Sequence, residues 1–306
     1  MTAAGVICEY NPFHSGHLRQ FAQLRERLGA DTAIVCLMSG ALVQRGEVAV
    51  FSPAVRAAAA VECGADIVLE LPVTHSLRSA EGFAAGGVDI LTRLGAVDGF
   101  FFGAEHANET ELLRTAKILC SAEYEAALRE LLQTRVSYPA ARERALIACG
   151  GDGALLRRPN DILAAEYCKA LVQQKSALRP LVLPRGGDYH ALDADAENPS
   201  ATAVRALYPD GNWRALVPEA AAALYAGAER FTMAAGERAM LARLRGMAKR
   251  DWEHVPYGSE GLWSAVYKAV QRESSVEAVI TAAKSKRYVR TRLQRLLLCA
   301  YLGLTA

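Results

Sequence analysis

Two histidines three residues apart occur in Asn11-Pro-Phe-His14-Ser-Gly-His17. This segment follows a short apolar run, Gly5 to Glu9, and precedes a helix-like pattern from Leu18 to Leu28. The start of a helix presents unpaired N–H groups and the positive end of its dipole, which favour a bound phosphate. Gly16 lets a phosphate chain approach the backbone, and an imidazole on either side can donate to its oxygens as charge develops. The pattern predicts nucleotide phosphate chemistry, and two surface histidines beside a turn are the alternative.

Strand-like and helix-like segments alternate through the first part of the chain. The predicted strands are residues 5–9, 32–38, 66–71, 97–102 and 181–184. Apolar strands that alternate with helices are typical of a parallel sheet covered on both faces, and right-handed crossovers make it doubly wound. Ligands of such sheets bind beyond the carboxyl ends of the strands, where the two histidines also fall. We therefore predict a Rossmann-like α/β fold.

The remaining chain is predicted to be helical. Residues from about 110 to 175 are predicted to form a helical insertion. The turn sequence Tyr208-Pro-Asp-Gly-Asn212 indicates a domain boundary near residue 210. The expected domains are therefore 1–210, which is Rossmann-like, and 211–306, which is helical.

Bulk composition limits the possible classes of protein. The chain has 306 residues, 52% of them hydrophobic, and a net charge of +2, so its overall charge does not identify a partner. Seven cysteines without a Cys-x-x-Cys pair indicate reduced thiols, neither a disulfide framework nor a zinc site. No opening segment resembles a secretory signal, and no apolar run is long enough to cross a bilayer. We expect a cytoplasmic protein without a membrane partner.

The residues around His14 and His17 resemble the His-x-Gly-His signature of the nucleotidylyltransferase superfamily. Further segments, in order along the chain, are similar to the bacterial tRNA(Met) cytidine acetate ligase family. These segments are Met38-Ser-Gly40, Val43-Gln-Arg-Gly-Glu47, Phe101-Phe-Gly103-Ala-Glu105, Arg158-Pro-Asn160-Asp-Ile-Leu163, Ser200-Ala-Thr-Ala-Val-Arg205 and Lys286-Arg-Tyr-Val-Arg-Thr-Arg-Leu-Gln-Arg295. The resemblance covers nearly the whole chain, although Ala104 stands where the family often has serine.

The resemblance implies a fold and a reaction. The strand order would be 3-2-1-4-5, followed by a C-terminal helical domain that binds tRNA. Acetate would attack the α-phosphate of ATP in line, giving acetyl-adenylate and pyrophosphate. The acetyl group would then pass to N4 of the wobble cytidine in elongator tRNA(Met). ATP would enter with Mg²⁺, for which Glu9 and Glu105 are the candidate protein ligands; no protein metal site is otherwise predicted.

The resemblance also implies the site residues. His14 and His17 would be catalytic. The ATP site would comprise Ile7, Cys8, Glu9, Tyr10, Asn11, Pro12, Phe13, His14, Ser15, Gly16, His17, Gly103, Asn160, Arg185 and Arg205. Four of these positions have a simpler alternative: a turn glycine at 103, a helix N-cap at 160, a loop charge at 185, and a helix capped by Ser200 that carries Arg205. Gln44, Arg45 and Glu47 are candidates for the acetate pocket.

A basic segment near the C-terminus predicts RNA binding. Residues 284–295 contain six cations in twelve residues and no acid, with leucines that give a helix a buried face. Such a helix suits an RNA backbone, and Tyr288 could stack on a base. The alternative is a solvated charged face. The predicted RNA-binding residues are Lys284, Lys286, Arg287, Tyr288, Arg290, Arg292 and Arg295.

Two other functions remain open at this point. A small-molecule adenylyltransferase acting on phosphopantetheine or nicotinamide mononucleotide would share the His-x-Gly-His chemistry. It would not need the helical extension or the basic segment. A non-catalytic RNA-binding protein on a degenerate nucleotide-binding fold would not need both histidines.

Overall fold

The computed structural model describes residues 2–134, 136–184, 199–208, 211–285 and 288–305. Arg185, Lys286 and Arg287 lie outside the described residues. The strands are β1 (Ala3–Cys8), β2 (Ala33–Ser39), β3 (Leu42–Val43), β4 (Glu47–Val48), β5 (Ile67–Leu71), β6 (Gly99–Ala104) and β7 (Arg179–Pro184). The helices are α1 (Ser15–Leu28), α2 (Pro53–Glu62), α3 (Val73–Ser76), α4 (Ala80–Leu94), α5 (Glu109–Leu119), α6 (Ala122–Gln133), α7 (Tyr138–Ala148), α8 (Pro159–Gln173), α9 (Ala201–Leu207), α10 (Glu219–Ala226), α11 (Met233–Gly246), α12 (Leu262–Arg272), α13 (Val276–Ala283) and α14 (Arg290–Leu302).

The main sheet has five strands in the order β5-β2-β1-β6-β7. Numbered by their order along the chain within this sheet, these strands run 3-2-1-4-5, so the predicted Rossmann-like α/β fold is confirmed. Val6 is level with Cys36 on one side and with Phe101 on the other, and both pairings are parallel. The carboxyl ends of β1, β2 and β6 therefore lie at the same edge of the sheet.

A small antiparallel hairpin, β3–β4, follows β2 and was not predicted. Its strands contain two residues each, too few to show an alternating pattern in the sequence. The turn between them contains Gly46, at a φ of 78°, which is a backbone conformation that favours glycine.

The described chain divides into two compact units. The first contains Met1–Met38, Ala54–Leu71 and Ala80–Ala228, and the second contains Ser39–Pro53, Pro72–Ser79 and Glu229–Ala306. The core of the first unit includes Val35 and Leu37 of β2 together with Phe100 and Phe102 of β6. The second unit has its own core, formed mainly by α11 to α14 and including Trp252.

This division differs from the boundary expected near residue 210. Tyr208 stacks on Trp213 at 4.4 Å between ring centroids, so the chain continues to pack on both sides of the predicted turn. The Tyr225 hydroxyl accepts a hydrogen bond from the backbone N–H of Phe13, and both residues belong to the first unit. The first unit therefore continues beyond the expected boundary, and its last segment ends at Ala228.

Two further features concern the described residues alone. None of their helices combines the length and the apolar character that a membrane span requires. The seven cysteines are free thiols, of which Cys36, Cys63, Cys168 and Cys299 are buried.

Candidate active site

His14 is the N-cap of helix α1. Its Nδ1 accepts a hydrogen bond from the Gly16 N–H at 3.1 Å, and its own N–H donates to Nδ1 of His17 at 3.2 Å. The two histidines therefore form a capping box. In this motif the N-cap residue is usually serine or threonine, and the residue three positions later is usually glutamate or glutamine. Both imidazoles are thus held at the amino end of α1, in the connection that follows β1, as the sequence predicted.

The two imidazole rings stack on each other, with 3.7 Å between centroids and 27° between planes. Gly16 makes this possible, because a Cβ at that position would lie 2.9 Å from Cε1 of His14. His14 is only 2% exposed, whereas His17 is partly exposed. Glycine at position 16 is therefore required for the packing of His14.

Residues Glu9–Phe13, here called the histidine loop, connect β1 to the N-cap. Three side chains hold its backbone: Arg56 Nη1 donates to the Glu9 carbonyl at 2.5 Å, and Arg205 Nη1 donates to the Asn11 carbonyl at 2.5 Å. The Tyr225 hydroxyl accepts from the Phe13 N–H at 3.0 Å. Every second residue of the loop thus has a backbone hydrogen bond to a distant side chain.

Aromatic residues surround the loop and His17. The Tyr10 ring lies 4.8 Å from the His17 ring and 4.9 Å from the Phe13 ring, both edge-to-face. The Tyr10 hydroxyl lies 3.4 Å from the Cys36 sulfur. Burial raises the pKa of both Tyr10 and Cys8 well above their usual values, so both stay neutral. They therefore add no charge beside the histidines.

The other residues of this segment that were predicted to line the ATP site have structural roles in the fold. Ile7 is a core side chain of β1, packed so closely on α4 that a Cβ on Gly87 would lie 2.4 Å from its Cδ1. Pro12 is buried and follows a cis peptide bond after Asn11. Ser15 is the first residue of α1. Ile7 has its side chain in the core, so only its backbone is available to a nucleotide.

Gly103 lies in β6, and the residues after it are tied to the start of α8. Glu105 accepts hydrogen bonds from the Asn160 side chain at 2.7 Å and from the Asp161 N–H at 2.8 Å. The buried Asp161 carboxylate in turn accepts from the His106 N–H at 2.7 Å and contacts His106 Nδ1 at 2.6 Å. The N-cap of α8 is Arg158, so the N-cap alternative for Asn160 is wrong.

Arg205 lies in α9, whose N-cap is Ser200. The Ser200 hydroxyl accepts from the Ala203 N–H at 3.0 Å, as a capping serine does. Arg205 also donates to the Thr202 hydroxyl at 3.3 Å. The observed partners of this arginine are therefore the histidine loop and its own helix, and a phosphate contact stays a prediction.

The basic segment belongs to the second unit and differs from the expected helix. Helix α13 ends at Ala283 and α14 begins at Arg290, so Lys284 lies in the connection between them. Acids from elsewhere also pair with its cations. Arg290 binds both carboxylate oxygens of Glu277, and Arg292 lies 3.6 Å from Glu260. The prediction of a single helix over residues 284–295 is therefore wrong, and acids from outside the segment pair with two of its arginines.

Tyr288 and Arg295 also have partners within the second unit. The Tyr288 hydroxyl donates to the Glu260 carbonyl at 2.8 Å, and the Arg292 guanidinium lies over its ring at 5.1 Å. Arg295 donates to the Gln44 carbonyl at 3.2 Å and lies 5.1 Å from the Tyr257 ring centroid. Burial lowers the pKa of Arg295. The structure therefore gives both residues a packing role.

The hairpin that carries Gln44 and Glu47 packs on α14. A Cβ on Gly46 would lie 2.7 Å from the Arg295 backbone nitrogen, so the turn and the helix backbone are in direct contact. The Gln294 side chain donates to Glu47 at 3.5 Å, at the outer limit of a hydrogen bond. This contact orients the hairpin within its own unit.

A protein-held metal finds little support in the described part of the chain. No three of its His, Cys, Asp and Glu side chains are grouped closely enough to hold an ion. Glu105, a candidate ligand, already accepts two hydrogen bonds from the start of α8. These residues do not form the oxygen cage of a dedicated magnesium site.

Sequence reasoning missed Arg56 and Tyr225. Arg56 lies in an alanine-rich helical segment, and Tyr225 lies in the part of the chain that was assigned to the second domain. Neither forms a motif with its neighbours. Arg56 differs from an ordinary surface arginine in being 0% exposed. Burial of this kind is a property of the folded chain and cannot be seen in the sequence.

A family model described as HIGH Nucleotidyl Transferase matches residues 1–306. A curated relative from Clostridium novyi, named tRNA(Met) cytidine acetate ligase, is 32% identical over 99% of this chain and 79% of its own length. One of the same name from Acetivibrio thermocellus is 33% identical, over 100% of this chain and 78% of its own.

Two solved structures are similar over the whole chain. Thermotoga maritima TmcAL in an apo form aligns with a TM-score of 0.92 at 31% identity. The alignment covers 100% of this chain and 76% of the Thermotoga chain. The same protein bound with alpha-thio ATP aligns with a TM-score of 0.90 at 31% identity, with the same coverage. Similarity therefore extends across both compact units.

Proposed function

The chain belongs to the HIGH nucleotidyltransferase family, in the group of the tRNA(Met) cytidine acetate ligases, and from that membership we propose that it activates acetate with ATP and acetylates a tRNA cytidine. The observation that carries this proposal is the pair of stacked imidazoles, 3.7 Å apart, at the amino end of α1. Similarity over 99% of the chain to a ligase of this name supports the choice within the superfamily.

In the first step, an acetate oxygen attacks the α-phosphorus of ATP and pyrophosphate leaves. Negative charge grows on the phosphate oxygens as the new O–P bond forms and the old one breaks. His14 and His17, with the first N–H groups of α1, stabilise that charge, because preorganised donors act without reorganising during the reaction. Gly103, Asn160, Arg185 and Arg205 complete the ATP site in this proposal.

In the second step, the N4 amine of the wobble cytidine attacks the acetyl carbon, and AMP leaves. The amine is a poor nucleophile because its lone pair is delocalised into the ring. Activation of acetate as a mixed anhydride with AMP overcomes this, and the base must leave the anticodon stack to reach it. Elongator tRNA(Met) is the proposed substrate, which implies action in the cytoplasm.

Mg²⁺ would accompany ATP and be held by phosphate oxygens and water. The second unit, with Lys284, Lys286, Arg287, Tyr288, Arg290, Arg292 and Arg295, is the proposed tRNA-binding part. Its affinity would come mainly from release of counterions by unpaired cations. Since Arg290 and Arg292 already contact glutamates, Lys284 should contribute more than either of them.

The decisive experiment is mass spectrometry of nucleosides from tRNA(Met) incubated with the protein, ATP and deuterated acetate. We expect N4-acetylcytidine that carries the deuterium label, and none when ATP is omitted. Unlabelled acetyl-coenzyme A in place of acetate should give no product. Failure to label cytidine with folded protein would reject the proposal.

A parallel assay addresses the small-molecule alternative. Pyrophosphate release would be compared with acetate, phosphopantetheine and nicotinamide mononucleotide as the second substrate. Release that depends on either of the latter two, and not on acetate, would favour a small-molecule adenylyltransferase.

A further inference from the structure

We propose that Arg56 and Tyr225 are positioning residues that hold His14 and His17 in the geometry for adenylate formation by fixing the histidine loop. The kinetic part of this proposal rests on the proposed function; the structural part does not. Neither residue carries a sequence motif, and they come from α2 and α10, which lie far apart in the sequence.

The anchors act on the loop backbone at alternate residues. Arg56 binds the Glu9 carbonyl, Arg205 binds the Asn11 carbonyl, and Tyr225 binds the Phe13 N–H. Phe13 directly precedes His14, so the Tyr225 contact lies one residue from the N-cap of α1. Movement of this peptide would move the capping imidazole with it.

The loop conformation needs such support. Tyr10, between two of the anchored residues, has a φ of 43°, which a residue with a side chain seldom adopts. Strained residues of this kind persist only where the surroundings determine the conformation. Phe13 is 0% exposed, so water cannot replace the hydroxyl that its N–H donates to.

Arg56 acts through the loop rather than on the substrate. It is 0% exposed, and a buried cation is retained only where polar groups compensate for its lost hydration. The carboxylates of Glu9 and Glu70 and the Tyr225 ring lie close enough to influence it electrostatically. Its guanidinium donates to the Glu9 carbonyl, so its effect on the histidines passes through the backbone of the histidine loop.

The test uses Tyr225→Phe, Arg56→Lys and Arg56→Met in the full chain. Tyr225→Phe removes one hydroxyl and leaves the ring, and Arg56→Lys keeps the charge and one donor. The matched controls are Tyr124→Phe, a tyrosine of 4% exposure in a separate core cluster, and Arg142→Lys, an arginine bound to Glu166. Acetate-dependent exchange between ATP and pyrophosphate gives kcat and KM.

We expect kcat to fall about tenfold or more in Tyr225→Phe and further in Arg56→Met, since small misplacements of catalytic groups cost large factors in rate. KM for ATP should change less than about threefold, because the histidines act on the transition state. Arg56→Lys should recover part of the loss. Equal losses in the test and control variants, with lowered melting temperatures, would show a general effect on folding and overturn the proposal.

Nuclear magnetic resonance of ¹⁵N-histidine protein gives a readout that needs no activity. The chain has six histidines, so His75, His106, His190 and His254 serve as internal references. Tyr225→Phe and Arg56→Lys should shift the imidazole resonances of His14 and His17 and leave the references in place. Unchanged His14 and His17 resonances would overturn the positioning role even for an active enzyme. Shifted resonances in a protein that does not activate acetate would reject the proposed function alone.

Discussion

At the scale of single residues, His14 has two roles that substitution can separate. Its Nδ1 caps α1 by accepting from the Gly16 N–H, and its ring stacks on His17. Asparagine is also a good N-cap, but it has no imidazole. The helix can therefore be kept while the proposed catalytic group is removed.

We predict that His14→Asn lowers kcat for acetate-dependent exchange between ATP and pyrophosphate by about 100-fold or more, the usual effect of losing one donor to a developing charge. Its melting temperature should stay close to that of the unmodified protein. His14→Ala should show the same loss of activity and, in addition, a loss of about 1 kcal/mol in the free energy of unfolding, because the cap is gone. Retention of full activity in His14→Asn would contradict a catalytic imidazole.

At the scale of elements, the contact between the β3–β4 hairpin and α14 depends on one glycine. Gly46 has a φ of 78°, and an added Cβ would lie 2.7 Å from the Arg295 backbone nitrogen. Backbone atoms cannot move aside as a flexible side chain can. A substitution at Gly46 must therefore either strain the turn or separate the hairpin from the helix.

We predict that Gly46→Ala destabilises the protein more than Gly211→Ala, measured as the free energy of unfolding in urea. Gly211 has the same φ of 78° and no atom within 4 Å of an added Cβ, so it reports the cost of the backbone conformation alone. That cost is about 1 kcal/mol, and the excess at Gly46 measures the hairpin–helix contact. Equal destabilisation of the two variants would show that the turn can move away from α14.

At the scale of the whole molecule, charge pairing decides which cations are available to RNA. The net charge is only +2, so binding must depend on local cations. Arg290 forms a two-oxygen ion pair with Glu277, and the hydrogen bonds and charge of Arg290, together with the charge of Lys284, lower the pKa of Glu277. Lys284 is exposed in the connection between α13 and α14. Arg290 is held by direct hydrogen bonds to Glu277, whereas Lys284 is exposed and acts on the same carboxylate only through its charge, so the two cations should contribute differently to RNA binding.

We predict that Lys284→Ala weakens tRNA binding and reduces the slope of log affinity against log salt by about one, as loss of one phosphate contact does. Arg290→Ala should have a smaller effect, because the Arg290 guanidinium is already held by Glu277 and therefore releases fewer phosphate counterions on binding. Filter binding at several salt concentrations measures both quantities. Lys117→Ala, at an exposed lysine of α5, is the control. A full effect of Arg290→Ala with none from Lys284→Ala would contradict this assignment.

The sequence by itself determined the features that arise from residues close together along the chain, namely the strands, the helices and the histidine motif. Five apolar runs between helix-like segments were sufficient to predict the parallel sheet, because its three central strands, β1, β2 and β6, are continuous and largely buried. The spacing of His14, Gly16 and His17 after the first strand predicted where the histidines lie, since a strand and the helix that follows it place their junction at the edge of the sheet.

Only the tertiary structure decided which distant residues complete the site. Tyr225 is 212 positions from Phe13, Arg205 is 194 from Asn11, and Arg56 is 47 from Glu9. No local pattern encodes such contacts, because a hydrogen bond to a loop carbonyl requires one donor at one point in space and no particular neighbours in sequence. Glu277 pairs with Arg290 for the same reason, although no acid lies within the basic segment itself. Packing of the folded chain brings these groups together, and their burial makes each contact specific.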